Sequence, residues 1–288
     1  MERVVFKMQF SSIDLHCHSL ESDGALSPSD VVTRAVDNGV TLLALTDHDT
    51  IGGQAEAMKQ AQILNIDMVS GIELSCVWGN AAIHILGLNF SLNDGVMQAA
   101  QEKQLAARLL RAEIIAERLM KKGLPDLFES ARQLAQSGIP GRPHFSEAMI
   151  AQGLVASHGE AFKKYLGAGK AGDVKSAWPL LSEVLEWIHA SQGDAVIAHP
   201  RKYKMSQTKL RELIADFKEE GGVGIEVVVS GQKQGEIGMM SDLCQRFDLK
   251  ASVGSDFHTP SFPWANLGRI PPLPKTLKPI WQDWGFLK

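Results

Sequence analysis

Short apolar runs alternate with amphipathic stretches along the first ninety or so residues. Residues 12–16 read as a strand, 40–46 (VTLLALT) as a buried strand, 68–74 as a third and 82–90 as a fourth. Between the first two, Ser27-Pro28-Ser29-Asp30 predicts a helix start. Ser27 is the N-cap, Pro28 takes the first helical position and Asp30 is the capping-box acid, while Asn38-Gly39 closes the helix. A second helix is expected over 54–64.

The rhythm changes after Asn93. From 99 to 122, Leu105, Leu109, Ala112, Ala116 and Leu119 step by three and four, which predicts a long amphipathic helix ended by Gly123 and Pro125. Helical pieces follow near 127–135, 145–152 and 160–166, and no convincing strand occurs before Ala195. Alternation then resumes. Strands are expected at 195–199, 223–229 and 251–255, and helices at 180–190, 210–220 and 237–247. Strand–helix–strand units imply parallel strands with right-handed crossovers. The expected architecture is an α/β barrel with an all-helical insertion. Residues 12–97 and 176–275 would form the discontinuous barrel, 98–175 the insertion and 276–288 a C-terminal tail.

The net charge of -4 argues against nonspecific coating of nucleic acid, so any such contact should be local. Cys17, Cys76 and Cys244 are few, odd in number and free of CxxC spacing, which suits a reducing cytoplasm. Residues 1–10 have neither a long apolar run nor a small-residue cleavage site, and no stretch is long enough to cross a membrane. The expectation is a soluble cytoplasmic chain with no obligate protein partner.

Candidate chemistry gathers where strands end. Asp14-Leu15-His16-Cys17-His18 leads to Ser22-Asp23-Gly24, and later ends carry Thr46-Asp47-His48-Asp49, Gly71-Ile72-Glu73, His84, His199-Pro200 and Ser255-Asp256-Phe257-His258. An H-x-H on a strand points both rings to one face, so His16 and His18 form a ready chelate and Cys17 turns away. Imidazole with carboxylate suits Mn²⁺, Fe²⁺ or Zn²⁺, and no thiolate fits the pattern. Taken singly, His84 or His199 reads as a core histidine, and Asp49 reads as an N-cap. Taken together, so many buried polar groups need a shared partner. Arg142 and His144, in Gly141-Arg142-Pro143-His144, are either a surface helix start or a phosphate clamp. Arg201 and Lys202, directly after His199, are stronger candidates for gripping phosphate. His158 and His189 read as structural.

The segments IDLHCHSLESDG, ALTDHDT, GIELS, IHILG, IAHPRK and GSDFH resemble the PHP (polymerase and histidinol phosphatase) phosphoesterases from Ile13 to His258. The SDG after H-x-H, the insertion and GRPH are similar to the RNase AM branch, bacterial 5'→3' exoribonucleases that also act as 3',5'-nucleotide bisphosphate phosphatases. The resemblance implies a distorted (β/α)7 barrel with up to three divalent metals, Mn²⁺ by preference and Fe²⁺ or Zn²⁺ as alternatives. It implies that His16, His18 and Asp256 hold the first metal, that Asp23, His48 and His258 hold the second, and that Glu73 bridges. His84 and His199 would hold the third, shared with Glu73. Other branches have His where this chain has Asp23, so their metal preference does not transfer.

The implied activity is metal-assisted hydrolysis of phosphate esters at RNA 5' ends or in a small nucleotide. Glu73, Asp256 and His199 are the candidate catalytic groups, and Arg142, His144, Arg201 and Lys202 the candidate substrate-binding ones. Three rival readings remain: a phosphatase for another small metabolite such as histidinol phosphate, a metal-dependent amidohydrolase, and a non-catalytic RNA- or nucleotide-binding module. Amidohydrolases often bridge their metals with a carboxylated lysine, and Glu73 takes that place here.

Overall fold

The computed structural model of the chain describes residues 11–93, 95–135 and 138–285. The reading of residues 1–10 lies outside that range. Three short strands, β1 (Ile13–Asp14), β2 (Leu42–Ala44) and β3 (Asp67–Val69), form one parallel sheet in that order. Helices α1 (Pro28–Asp37) and α2 (Gln54–Leu64) supply the crossovers. The Ser27 hydroxyl accepts from Asp30 N–H, as the capping pattern requires. Asn65 ends α2 in the left-handed region at φ 54°.

The second sheet has five strands in sequence order: β4 (Gly71–Trp78), β5 (Ala81–Leu88), β6 (Asp194–Ile197), β7 (Gly224–Val229) and β8 (Lys250–Gly254). Two expectations are corrected here. The apolar run 68–74 is not one strand, because β3 ends at Val69 in the first sheet and β4 begins at Gly71 in the second. At Gly71 a Cβ would meet the Leu45 carbonyl at 2.5 Å, so the chain needs glycine to pass there. The strands are also not all parallel. β4 and β5 form an antiparallel hairpin, and β5 pairs antiparallel with β6. The two-residue link Gly79-Asn80 is too short for a crossover, and Gly79 takes φ +52° without strain.

The two sheets meet at both edges. Leu15 N–H donates to Val253 O at 3.0 Å and Asp256 N–H to His16 O at 2.8 Å on one side. On the other, Glu73 N–H donates to Asp47 O at 3.2 Å and Asp49 N–H to Glu73 O at 2.9 Å. The residues following β1, β2 and β8 are thereby drawn to one end of β4.

Among the described residues, no strand lies between Leu88 and Asp194. Helices α3 (Val96–Met120), α4 (Phe128–Leu134), α5 (Arg142–Ala151) and α6 (His158–Ala161) occupy that stretch, followed by a π-helical turn at Phe162–Leu166. They share their own apolar cluster, which includes Ile115, Leu119, Phe145 and Met149. α3 spans two cores. Met97 and Ala100 pack with the sheets, while Ala112, Ile115 and Leu119 pack with the helices. Between them the inward face is polar, with Gln104 and Arg111 buried and Leu109 on the outside at 39% exposure. The stripe expected through Leu109 therefore shifts round the helix at that point.

Helices α7 (Leu181–Ala190), α8 (Gln207–Glu219) and α9 (Gln234–Arg246) complete the alternation. The end of the chain packs against β8: Ala251 N–H donates to Lys278 O at 2.8 Å, and Ile280 and Trp281 are buried in the main core. No helix among the described residues is long and apolar enough to cross a membrane.

Candidate active site

Glu73, on β4, is fully buried and is the hub of the polar cluster. Its Oε2 lies 3.2 Å from His16 Nε2, 3.2 Å from His18 Nε2 and 3.1 Å from His48 Nδ1. Its Oε1 lies 2.8 Å from His84 Nδ1 and 2.8 Å from His199 Nε2. Asp256 Oδ1 stands 3.4 Å from His16 Nε2 and 3.3 Å from His18 Nε2. His258 Nε2 is 3.3 Å from Asp23 Oδ1, and its ring stacks on His18 with centroids 4.1 Å apart.

Four overlapping groups have ligand atoms close enough to share an ion: His18/Asp23/His48/His258, His16/His199/Asp256, His16/His18/Glu73 and His48/Glu73/His84. All nine expected ligand side chains are in this set. The sorting is less discrete than the resemblance implies, since His18 joins the Asp23 group and His199 joins the Asp256 group.

The donor set fits divalent cations. His16 Nε2, His18 Nε2, His48 Nδ1, Glu73 Oε2 and Asp23 Oδ1 are buried with no hydrogen-bond partner, and orphaned polar atoms of this kind are costly. Nitrogen and oxygen donors suit Mn²⁺, Fe²⁺ or Zn²⁺. Cys17 is not among the donors, because its thiol donates instead to Ala44 O.

Charge is already distributed for such a role. Burial opposes ionisation of Glu73, but His48, His16 and His84 outweigh it and hold the carboxyl well below the usual carboxylate range. Burial brings His199 down to about 4 despite Glu73, which keeps a neutral, ligand-ready ring near pH 7. Burial would also lower His16, but Glu226 and Glu73 outweigh it and carry the ring up to about 10, so without a cation it holds a proton that a bound cation would have to displace.

The cluster opens into a cleft of about 880 Å³. Asp23, His48 and His84 line its floor, and Arg108, Arg111, Arg142 and His144 line it from the helical stretch. His144 Nδ1 accepts from Gly141 N–H at 3.0 Å, which ties the ring to the start of α5. Lys202 also lines the cleft and pairs with Asp256. Arg201 does not join them. Its Nη2 turns to Glu236 Oε1 on α9 at 3.5 Å, so the structure gives no support to Arg201 as a phosphate grip. His158 and His189 lie elsewhere, facing Ser146 and the Gly221 carbonyl.

The sequence matches the PHP domain over residues 14–229. This chain belongs to the PHP domain family. It is 42% identical to a 5'-3' exoribonuclease of Haemophilus influenzae, over 93% of this chain and 97% of that protein. It is 37% identical to a 3',5'-nucleoside bisphosphate phosphatase of Chromobacterium violaceum, over 95% of this chain and 96% of that one. A solved Chromobacterium violaceum structure, described as an amidohydrolase with sulfate bound and no metal, superposes with a TM-score of 0.87 at 37% identity and covers 95% of each chain.

Several groups that build this PHP centre were not singled out from the sequence. Glu226, in the apolar strand GIEVVV, is fully buried. Its Oε1 is 3.0 Å from His16 Nδ1, and its Oε2 accepts from His199 N–H at 2.5 Å. One carboxylate thus orients the His16 ring from behind and holds the backbone of His199. A glutamate inside an otherwise aliphatic strand was the available signal. Asp47 accepts from Ser19 N–H at 2.7 Å and from the hydroxyls of Ser19 and Ser22, which fixes the loop bearing Asp23. Asp49 is not an N-cap, because Gly53 occupies that position before α2. Its carboxylate accepts from Ser75 N–H and Oγ–H and from Arg108 Nε–H, the last at 2.6 Å. Asp49, His199 and Asp256 sit at φ 58°, 28° and 52°, so the strand ends are held in strained backbone.

Proposed function

We propose that this PHP-domain chain is a divalent-metal-dependent phosphoesterase of nucleotides. It would act as a 5'→3' exoribonuclease on short or 5'-monophosphorylated RNA and as a 3',5'-nucleotide bisphosphate phosphatase. The observation that carries this reading is the sharing of one buried carboxylate, Glu73, by five imidazoles beneath an arginine-lined cleft. The activities of the full-length relatives support it.

His16, His18 and Asp256 would hold one cation, Asp23, His48 and His258 a second, and His84 with His199 a third, with Glu73 common to the set. Mn²⁺ is the expected ion, and Fe²⁺ and Zn²⁺ fit the same donors. Such ions, when bound, acidify water and neutralise phosphoryl oxygens. The chain's own contribution is positional. Glu73 fixes the spacing of the ligand rings, and Asp256 and His199 hold their places from strained turns. Lys202, paired with Asp256, sets a cation beside the reacting phosphate, and Arg142 with His144 faces the substrate from α5. Two sheets stitched at both edges support a distorted barrel, with 12–97 and 176–275 as its body and 98–175 as a helical roof. Three buried free thiols suit the cytoplasm.

Histidinol phosphate, with one phosphate and a cationic amine, suits this cleft less well than a substrate with two phosphates. The test loads the metal-stripped protein with Mn²⁺ and compares pAp, 5'-monophosphorylated RNA and histidinol phosphate. Turnover is expected on the first two. Preference for histidinol phosphate, or no hydrolysis of any, would overturn the reading.

A further inference from the structure

Phe262 and Trp264 stand in solvent at 45% and 63% exposure, outside the polar cluster and its cleft. Their rings stack on each other, with centroids 5.0 Å apart and planes at 22°. Both belong to Thr259-Pro260-Ser261-Phe262-Pro263-Trp264, the segment directly after His258. It is anchored on either side of the pair. Ala25 N–H donates to His258 O at 2.7 Å, which ties its start to the loop bearing Asp23. Arg34 Nε–H donates to Asn266 Oδ1 at 2.9 Å and Gly268 N–H to Asp14 Oδ2 at 2.9 Å, which tie its end to α1 and β1. Two consecutive turns fold the tip: Phe262 N–H donates to Thr259 O at 3.2 Å, and Ala265 N–H to Phe262 O at 3.0 Å. Pro260 and Pro263 fix φ within it, so the rings are presented on a stiff support.

Exposed aromatic area of this kind is unfavourable in water and marks a contact surface. The surroundings of the tip favour one occupant. Four residues span at most roughly 14 Å of chain, and the turn shortens that, so Phe262 stays close to the proposed ligand His258. Residues 257–282 contain no acidic side chain, in a chain with 33 Asp and Glu, so the segment does not repel a polyanion. The other large exposed apolar side chains among the described residues lie on α2, α3 and α4 and just before α7. Two rings fall far short of the roughly 800 Å² per partner of a stable protein interface, whereas one ring suffices to stack one base.

We propose that Phe262 and Trp264 form a stacking platform for bases of single-stranded RNA that lie downstream of the bond being cut and have not yet entered the cleft. This deepens the exoribonuclease reading and rests on it. The pair gives the protein a grip on polymer that it does not have on pAp, because neither ring lines the cleft that would hold a small nucleotide. Every base has a π face, so the grip tolerates any sequence. Anchorage through His258 and Ala25 holds the strand at a set distance from the ligand cluster.

The test compares Mn²⁺-loaded wild type and Trp264→Ala on pAp and on a short 5'-monophosphorylated oligoadenylate. KM for the oligonucleotide should rise roughly tenfold, as for the loss of one base stack, while kcat/KM for pAp keeps its wild-type value. Trp264→Phe should recover most of the loss, and Trp264→Leu should not. Wild-type KM for the oligonucleotide in folded Trp264→Ala, an equal loss on pAp, or full recovery in Trp264→Leu overturns the proposal. An oligonucleotide with abasic downstream positions probes the same contact without altering the protein, and so stands if Trp264→Ala fails to fold. Its KM with the wild type should be roughly tenfold above that of the intact strand, and equal values overturn the proposal. In EDTA, the intact strand should quench tryptophan fluorescence of the wild type and do so far less in Trp264→Ala, and equal quenching overturns the platform. If the wild type hydrolyses neither substrate, the exoribonuclease reading fails, while this titration still decides the platform. A changed oligomeric state in Trp264→Ala with both KM values unchanged would make the pair a protein contact and overturn the proposal.

Discussion

Glu226 Oε1 lies 3.0 Å from His16 Nδ1, on the side of the ring opposite Glu73, while its other oxygen accepts from the backbone of His199. This carboxylate fixes the ring orientation of one proposed ligand and the backbone of another. Glu226→Gln should fold and should lose metal affinity or activity by roughly 10–100-fold. A metal titration of the stripped variant measures this. Affinity equal to the wild type would remove Glu226 from that role.

Asp49→Ala removes the acceptor of two bonds from Ser75 and one from Arg108. The buried Ser75 N–H is left unpaired and Arg108 is released into the cleft. Stability should fall by about 1.5–3 kcal/mol, and KM for nucleotides should rise. Urea unfolding and steady-state kinetics check the two effects. A lower midpoint with unchanged KM would mean that Asp49 serves the fold and not the arginine.

The metal-free protein should be most stable near neutral pH. His16, raised from 6.5 to about 10 chiefly by Glu226 and Glu73 against burial, gives stability that is fully present below pH 6.5. That stability is lost as pH rises towards 10. His199, lowered from 6.5 to about 4 by burial, favours its neutral form in the fold. The unfolded chain takes up that proton first, so stability falls as pH drops from 6.5 to about 4. Urea midpoints in EDTA should decline on both sides. A midpoint that climbs steadily from pH 6.5 to 10 would contradict the His16 environment.

The chemistry was legible because ligands cluster in short motifs. His16 and His18, or Asp256 and His258, are close in sequence and polar in apolar surroundings. Glu226 was not, since a single acid in GIEVVV carries no partner nearby. Arg108 and Arg111 were hidden by periodicity, because Leu105 and Leu109 supply a plausible apolar stripe and only the docked helix turns Arg111 inward. The break between β3 and β4 was also invisible. Both strands are buried and apolar, and what divides them is the close approach of Gly71 to Leu45. The antiparallel hairpin could have been read from Gly79-Asn80, a two-residue turn between two alternating strands. Position next to His199 did not by itself tell Arg201 from Lys202: the short helical turn after His199 sends successive side chains in different directions, Lys202 to Asp256 and Arg201 to Glu236.

The central claim is that Glu73 unites the ligand set of a metal-dependent phosphoesterase. The direct measurement compares wild type and Glu73→Gln for metal content and for Mn²⁺-dependent release of mononucleotides from 5'-monophosphorylated RNA. The expected result is lower metal content and a loss of turnover of roughly hundredfold or more, with the circular dichroism spectrum and the fold retained. Wild-type metal content and near-wild-type turnover in Glu73→Gln would contradict it.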